Sequence, residues 1–279
     1  MDTGWCRHCG QEKEMTREHL PPEATGNNSE VTLYQQFGDE FQVFRQFPKG
    51  HALETLCMQC NGGASERGLP QAYTAWHADV LGHLPRCGAA YRHVFGADPN
   101  DLWTRNRSDG SAWILPLEHG RGVDPETMRN LHPGRIARQI LGGILAVQNT
   151  RRLLDDHPQL QAAYFSEEPA SIAPFTLHVA LANAGTAYLN TSASAITIDL
   201  TTDSSTADEC WIMTFAPFVM ILVEGEQSPI TATRIDHWFQ RPTNQTFGRR
   251  ADRTVSYPIA RRGELLVESL YQGRERLPS

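Results

Sequence analysis

The chain has 279 residues, of which 40% are hydrophobic and 20% charged. This is enough apolar material for one large or two ordinary domains and excludes wholesale disorder. The formal net charge of −7 argues against a protein that coats nucleic acid, but not against an enzyme that grips a few phosphates. We find no apolar run long enough to span a bilayer and no signal peptide, so we expect a cytoplasmic protein without membrane contact.

Two Cys-x-x-Cys pairs mark the N-terminal part of the chain, Cys6 with Cys9 and Cys57 with Cys60. In an intracellular protein such cysteines are more often reduced or metal-bound than joined in disulfides. Four thiolates suit one tetrahedral zinc ion, whatever the length of the loop between the pairs. The sequence therefore predicts one structural Zn²⁺ site. The alternatives are two disulfides, redox pairs or a metal-storage role.

The segment between the cysteine pairs has the pattern of a strand, a turn and a strand. Apolar residues alternate on both sides of Gly38-Asp39, a dipeptide typical of hairpin turns. After the second cysteine pair, we predict a helix over Gln71–Leu84. Its apolar residues Tyr73, Trp76 and Val80 recur at steps of three and four residues.

Further along the chain, Pro125–Gln148 is predicted to be helical, with Asp124 as its cap and a restart at Pro133. The pair Gly142-Gly143 indicates a close approach of a neighbouring element. Arg151–Phe165 is predicted to form a second helix. Beyond it the apolar period changes to two, which predicts strands. The strand-like runs are 174–182, 186–200 and 210–225.

Together these elements predict an α+β protein. We expect a zinc-stapled domain over residues 1–95 and a linker over 96–122, which is rich in Gly, Asp, Asn and Pro. A separate α+β domain over 123–279 would follow, with two helices and an antiparallel-leaning sheet. Its expected role is regulation, targeting or assembly, through a protein partner or a second copy of the chain.

A dipeptide of a carboxylate and an imidazole, Glu18-His19, lies between the cysteine pairs, and Asn61 directly follows the second pair. On a regular strand Glu18 and His19 would point to opposite faces. Both can address one site only where the strand ends or bulges. Pro21-Pro22 supplies such an end, because proline has no N–H for the ladder. The zinc site would hold Asn61 at the start of the next helix, facing this strand end.

Three motifs in this order, Cys-x-x-Cys, Thr-Arg-Glu-His-Leu-Pro-Pro and Leu-Cys-x-x-Cys-Asn-Gly, resemble the HNH endonucleases, also called ββα-metal nucleases. The resemblance covers only the N-terminal part of the chain. It implies hydrolysis of nucleic-acid phosphodiester bonds, with DNA as the expected substrate. It assigns His19 as the general base and Glu18 and Asn61 as ligands of a catalytic Mg²⁺ or Mn²⁺ ion. Arg17 stands where a guanidinium can hold a phosphate, and the four cysteines match the structural zinc of many members.

Two positions depart from the family's pattern. Ala52 stands where many members have an asparagine that buttresses the base, and the candidates to replace it are His51, Asn27 and Asn28. Ser65 stands where many members have a histidine ligand. Only two protein ligands then remain for an ion that accepts water and phosphate at its other positions. These departures favour the alternative function, a non-catalytic zinc module that binds nucleic acid or a protein on a disabled HNH scaffold.

Overall fold

Strands and helices come in separate runs along the chain, as expected of an α+β protein. The computed structural model describes residues 3–28, 31–37, 40–81, 114–118, 131–148, 151–182, 187–199, 204–215, 218–228, 232–247, 254–260 and 270–273. The helices are α1 (Met58–Glu66), α2 (69–81), α3 (Pro133–Ala146), α4 (Arg152–Asp156) and α5 (Pro158–Phe165). The strands are β1 (Thr3–Trp5), β2 (Glu12–His19), β3 (Val31–Phe37), β4 (Glu40–Phe47), β5 (Ala52–Cys57), β6 (Ile114–Glu118), β7 (Phe175–Ala182), β8 (Ala187–Asp199), β9 (Ser204–Phe215), β10 (Phe218–Glu224), β11 (Thr233–Arg234), β12 (Thr254–Ala260) and β13 (Leu270–Gly273).

The smaller sheet carries the cysteine pairs. Its order is β1-β2-β5, with antiparallel pairing throughout, and α1 follows β5 directly. Gly62 and Gly63 lie inside α1, and each costs about 1 kcal/mol of helix propensity relative to alanine. The helix therefore depends on its buried residues, Cys60 and Ala64, rather than on intrinsic preference.

The larger sheet has the order β4-β3-β13-β8-β9-β10-β7-β12-β6, and β11 also pairs with β7. Pairing is antiparallel except between β12 and β7, so the predicted antiparallel preference is confirmed. The three strand-like runs of the sequence form β7, β8 and the pair β9 and β10. Strand β10 is central and apolar on both faces, with Phe218 to Val223 buried.

The predicted hairpin between the cysteine pairs is formed by β3 and β4. Its turn, Gly38-Asp39, lies outside the described residues. On its other side β3 pairs with β13, with Tyr34 opposite Tyr271. The hairpin thus belongs to the larger sheet, which was not predicted. A two-stranded hairpin is marginally stable alone, and this pairing extends it.

Helix α3 packs between the two parts of the structure through the predicted pair Gly142-Gly143. A methyl group on Gly142 would lie 2.6 Å from Cε2 of Tyr164, and one on Gly143 would lie 2.8 Å from Cε of Met213. A single cluster of buried side chains runs from Cys6 to Phe247. The N-terminal and C-terminal parts therefore share one core. The predicted domain boundary stays a prediction, because within 96–122 the structure describes only β6.

The helical predictions need one correction. Arg151–Phe165 is not one helix but two, α4 and α5, which are separated at His157. His157 precedes Pro158, and a residue before proline is disfavoured in the helical region; its φ is −131° and its ψ 69°. The predicted start at Asp124 lies outside the described residues, and the described helix begins at Pro133. Among the described helices, none combines the length and hydropathy that a membrane crossing requires.

Candidate functional site

The four cysteines of the two Cys-x-x-Cys pairs come together in space. The Sγ atoms of Cys6, Cys9, Cys57 and Cys60 all lie within 4.8 Å of one another, and those of Cys9 and Cys57 are 4.0 Å apart. A tetrahedral zinc ion with Zn–S bonds of about 2.3 Å needs sulfurs about 3.8 Å apart. The cluster fits this requirement after small side-chain adjustments and could hold a metal such as zinc.

Hydrogen bonds to sulfur favour the thiolate form of Cys6. A hydrogen bond with the Cys60 thiol lowers the pKa of Cys6; burial opposes this, and backbone N–H groups of Cys9, Cys57 and His8 lower the pKa further. The N–H of Cys57 lies 3.4 Å from the Cys6 sulfur. Such donors stabilise a thiolate, which is the form that binds zinc.

His8 lies inside the first cysteine pair but turns away from the sulfurs. Its Nε2 donates to the backbone oxygen of Gly142 at 2.9 Å, and its ring packs against Tyr164 with centroids 4.3 Å apart. Burial lowers the pKa of His8 to about 4, so the ring is neutral. Three more hydrogen bonds tie this loop to the C-terminal part: Arg7 to Gln148 O, Arg151 to Gly10 O and Gln161 to His8 O.

Strand β2 both meets a bulge and ends at the Glu18-His19 dipeptide. Thr16 pairs with Leu56, but Glu18 pairs with Leu53, so β5 has one more residue than β2 over this interval. A bulge increases twist and redirects side chains. His19 is the last residue of the strand. A site shared by both side chains required a strand end or a bulge at this dipeptide, and the structure has both.

The side chains of Glu18 and Asn61 meet between β2 and α1. Burial raises the pKa of the Glu18 carboxyl to about 7, and a hydrogen bond with the Asn61 side chain opposes this rise. Asn61 Nδ2 also lies 3.2 Å from Thr16 Oγ1 and 3.4 Å from the Arg17 backbone oxygen. Because the amide nitrogen faces β2, the Oδ1 atom of Asn61 is left without a hydrogen-bond partner among the described residues.

His19 is oriented by the chain itself. Its Nε2 lies 2.8 Å from the backbone oxygen of Lys49. A carbonyl oxygen can only accept, so Nε2 carries the proton and, in the neutral ring, Nδ1 carries the lone pair. In the part of the chain that the structure describes, no hydrogen bond joins His19 to Asn61. Glu18 connects them, as the sequence neighbour of the first and the contact of the second.

The loop that presents the Lys49 carbonyl is fixed by Asn27. This side chain is fully buried. Its Nδ2 donates to the backbone oxygens of Pro21 at 2.8 Å and His51 at 2.9 Å, and its Oδ1 accepts from the His51 N–H at 2.7 Å. His51 Nδ1 in turn donates to Leu20 O at 2.8 Å. Of the candidates for the missing asparagine, Asn27 and His51 thus support the loop, whereas Asn28 is exposed.

The remaining predicted residues lie at the edge of this cluster. Arg17 and Ser65 are both exposed. Sequence reasoning missed Thr16, which bonds to Asn61 and to the backbone of Leu56, and it missed the role of Lys49. A polar side chain two residues before Glu18, on the same strand face, was the only available signal for Thr16.

A groove of about 430 Å³ lies on another face of α1. It borders the cysteine cluster and excludes Glu18, His19 and Asn61; its lining includes Lys13, Gln59, Gly63, Arg67 and Phe165.

Comparisons with known proteins add no identification to this geometry: no family model, no curated protein and no solved structure matches the chain.

Proposed function

We propose that this chain is a metal-dependent nuclease of the HNH type that hydrolyses phosphodiester bonds, with DNA as the expected substrate. The observation that carries the proposal is that the Asn61 amide lies against β2 beside Glu18, 3.2 Å from Thr16 Oγ1, where a strand end meets a helix start. The four-cysteine cluster next to it supports the same reading. Strands β2 and β5 followed by α1 have the strand–strand–helix order of ββα-metal nucleases, with the β3–β4 hairpin placed between the two strands.

Two oxygen donors are available to a catalytic ion. The Glu18 carboxylate and Asn61 Oδ1 are hard ligands, which would suit Mg²⁺ or Mn²⁺ once the Asn61 amide has rotated so that Oδ1 rather than Nδ2 faces Glu18. Glu18 belongs to β2 and Asn61 to α1. Cys60, which directly precedes Asn61, ties α1 to the cysteine cluster and so fixes the separation of the two side chains. When bound, such an ion supplies charge stabilisation to the phosphate and to its departing oxygen.

His19 is the general base in this proposal. The Nε2–H group of His19 donates to the Lys49 backbone oxygen. Nδ1 is therefore the nitrogen that accepts a proton from water. The water oxygen then bonds to phosphorus as the opposite P–O bond breaks, and the departing oxygen takes a proton from solvent. The exposed Arg17 can pair with a phosphate oxygen through its planar fork of donors.

Plasmid nicking in the presence of Mg²⁺ or Mn²⁺ tests the proposal. General bases contribute typically 10²- to 10⁴-fold, so His19→Ala should lower the rate by roughly that factor. Glu14→Ala is the matched control, since Glu14 is exposed on the same strand, and it should retain the rate. Equal nicking by wild type and His19→Ala would show that another group is the base.

The non-catalytic zinc module remains the second candidate. It is favoured by the exposed Ser65, which leaves a catalytic ion only Glu18 and Asn61 as protein ligands. A wild-type chain that binds one zinc and nucleic acid but cuts neither DNA nor RNA with any divalent ion would establish it. Regulation or assembly through the C-terminal part stays a prediction.

A further inference from the structure

One line of residues along α1 begins at the candidate active site. Asn61 and Ser65 are four residues apart and lie on the same side of α1, and Gly68 follows two residues after the last residue of that helix. Backbone hydrogen bonds from Arg67 to Gly63 and from Gly68 to Ser65 continue the last turn. At 1.5 Å per residue, Gly68 lies about 10 Å along the axis from Asn61. The Ser65 side chain between them is exposed.

The far end of this line is occupied by Arg135 of α3. A methyl group on Gly68 would lie 2.8 Å from Nη1 and 3.4 Å from Cζ of Arg135. The guanidinium therefore rests directly on the glycine, which leaves it room. Gly68 also has a φ of +70°, so glycine is favoured there for two independent reasons. An arginine from the C-terminal part of the chain thus reaches the helix that carries Asn61.

The Arg135 guanidinium has no protein partner to explain its position. Its Nε is buried without a hydrogen-bond partner, and the group makes no hydrogen bond or ion pair with any residue that the structure describes. Arg138, one turn further along α3, provides the comparison, because its guanidinium is used in holding the structure together. Its guanidinium donates to backbone oxygens at 2.5 to 2.9 Å, those of Ser166, Glu168 and Gly134.

A guanidinium charge that is partly removed from water without a counter-charge is unfavourable, and an anion paired with its Nη groups would neutralise it. The side chain is only partly buried, so a ligand can approach those Nη groups. A phosphate matches the planar arrangement of arginine donors.

We propose that Arg135 is a phosphate contact for a nucleic-acid strand that runs from the Glu18–Asn61 site along α1, past Ser65. This inference rests on the proposed nuclease function. It assigns to the C-terminal part of the chain one contact with the substrate. Measured along the axis of a duplex, about 10 Å corresponds to roughly three base-pair steps of 3.4 Å each. Arg135 binds and does not take part in the chemistry.

The test separates binding from cutting by using the full chain with His19→Ala. Affinity for a fluorescent DNA duplex is measured over a series of salt concentrations, with and without Arg135→Ala. Loss of one phosphate contact should weaken binding and reduce the slope of log K against log salt by about 0.9. The control is Arg152→Ala, whose side chain is 83% exposed and pairs with Asp156; it should leave the slope unchanged.

In the cutting-competent chain, Arg135→Ala should raise KM and leave kcat within about twofold, because it removes binding shared by ground and transition states. Arg135→Gln, which keeps the stem and part of the donor capacity, should lie in between and guards against a folding defect. An unchanged slope and an unchanged KM in folded Arg135→Ala would overturn the inference.

The failure of each proposal has its own signature. Nicking that depends on His19 but is indifferent to Arg135 refutes this inference alone. A reduced salt slope in a chain that never cuts refutes the nuclease proposal and supports the phosphate contact. Absence of binding to any nucleic acid refutes both.

Discussion

A methyl group on Gly50 would overlap the backbone oxygen of Asn27. Gly50 has a φ of +74°, a conformation that costs other residues about 1–2 kcal/mol. The two residues therefore fit only while position 50 lacks a side chain, and this contact fixes the loop whose Lys49 carbonyl orients His19.

We expect Gly50→Ala to destabilise the protein by roughly 2–4 kcal/mol, because backbone strain and steric overlap add. It should also lower kcat in nicking more than it raises KM, since the base loses its orientation. Urea denaturation and initial rates measure both effects. Gly62→Ala is the control: a methyl group there meets nothing within 4 Å, and a stable helix should gain up to about 1 kcal/mol. A Gly50→Ala chain as stable as wild type would contradict the described loop.

Asn27→Ala tests the support of the same loop by another route. It removes three hydrogen bonds at a buried position, where each group left unpaired costs about 1–3 kcal/mol. We expect a loss of roughly 3 kcal/mol in unfolding free energy. The exposed neighbour Asn28 provides the control, and Asn28→Ala should stay within about 0.5 kcal/mol of wild type. Equal losses of unfolding free energy in Asn27→Ala and Asn28→Ala would show that Asn27 does not support the loop that carries Lys49.

Metal removal should disturb more than the N-terminal part. We expect one zinc per chain, and chelation should lower Tm by roughly 10 °C or more, given the large binding free energies of structural zinc. It should also raise amide exchange in α3, because His8 beside the cluster bonds to Gly142. Cys9→Ser should reproduce these changes, whereas Cys210→Ala should retain one zinc. Unchanged protection of α3 after zinc loss would show that the two parts are not coupled.

The raised pKa of Glu18 predicts a pH-dependent stability. Because the folded-state pKa is about 7 against an ordinary value of 4.5, the folded chain binds more protons than the unfolded chain between these values. Stability without added Mg²⁺ therefore falls as pH rises from about 4.5 to 7. Glu18→Gln should remove this part of the fall, and Glu14→Gln should not.

At pH 8 without Mg²⁺, the ionised Glu18 carboxylate makes the wild-type chain less stable relative to Glu18→Gln. Adding Mg²⁺ should reverse this difference in stability. The wild-type chain with its ionised carboxylate should gain more in Tm than Glu18→Gln, since a ligand that binds only the folded state stabilises it. Thermal scans at three pH values with and without Mg²⁺ measure both effects. Identical Mg²⁺ responses of wild type and variant would exclude Glu18 as a metal ligand.

The cysteine cluster could be predicted from sequence because its spacing is short-range and chemically specific. The prediction that Glu18 and Asn61 share one site rested on the same logic, since each residue adjoins a feature that fixes the backbone. The partner of His19 could not be predicted in this way. It is a backbone carbonyl, that of Lys49, and any residue type supplies one.

Contacts between residues far apart in the sequence could not be predicted either. The pairing of β3 with β13 joins segments at opposite ends of the chain, and short polar-apolar runs do not specify such partners. Arg135 looked like any other arginine on a predicted helix. Its guanidinium, unpaired among the described residues, distinguishes it from Arg138, which donates to the backbone oxygens of Ser166, Glu168 and Gly134.

The short strand β13 lies between β3 and β8 in the larger sheet. A fragment that stops before Leu270 would leave both neighbours with unpaired N–H and C=O groups, the kind of edge through which chains self-associate. An N-terminal fragment expressed for metal analysis is thus expected to aggregate. During synthesis the hairpin between the cysteine pairs must wait for Leu270–Gly273 to leave the ribosome before its edge is closed.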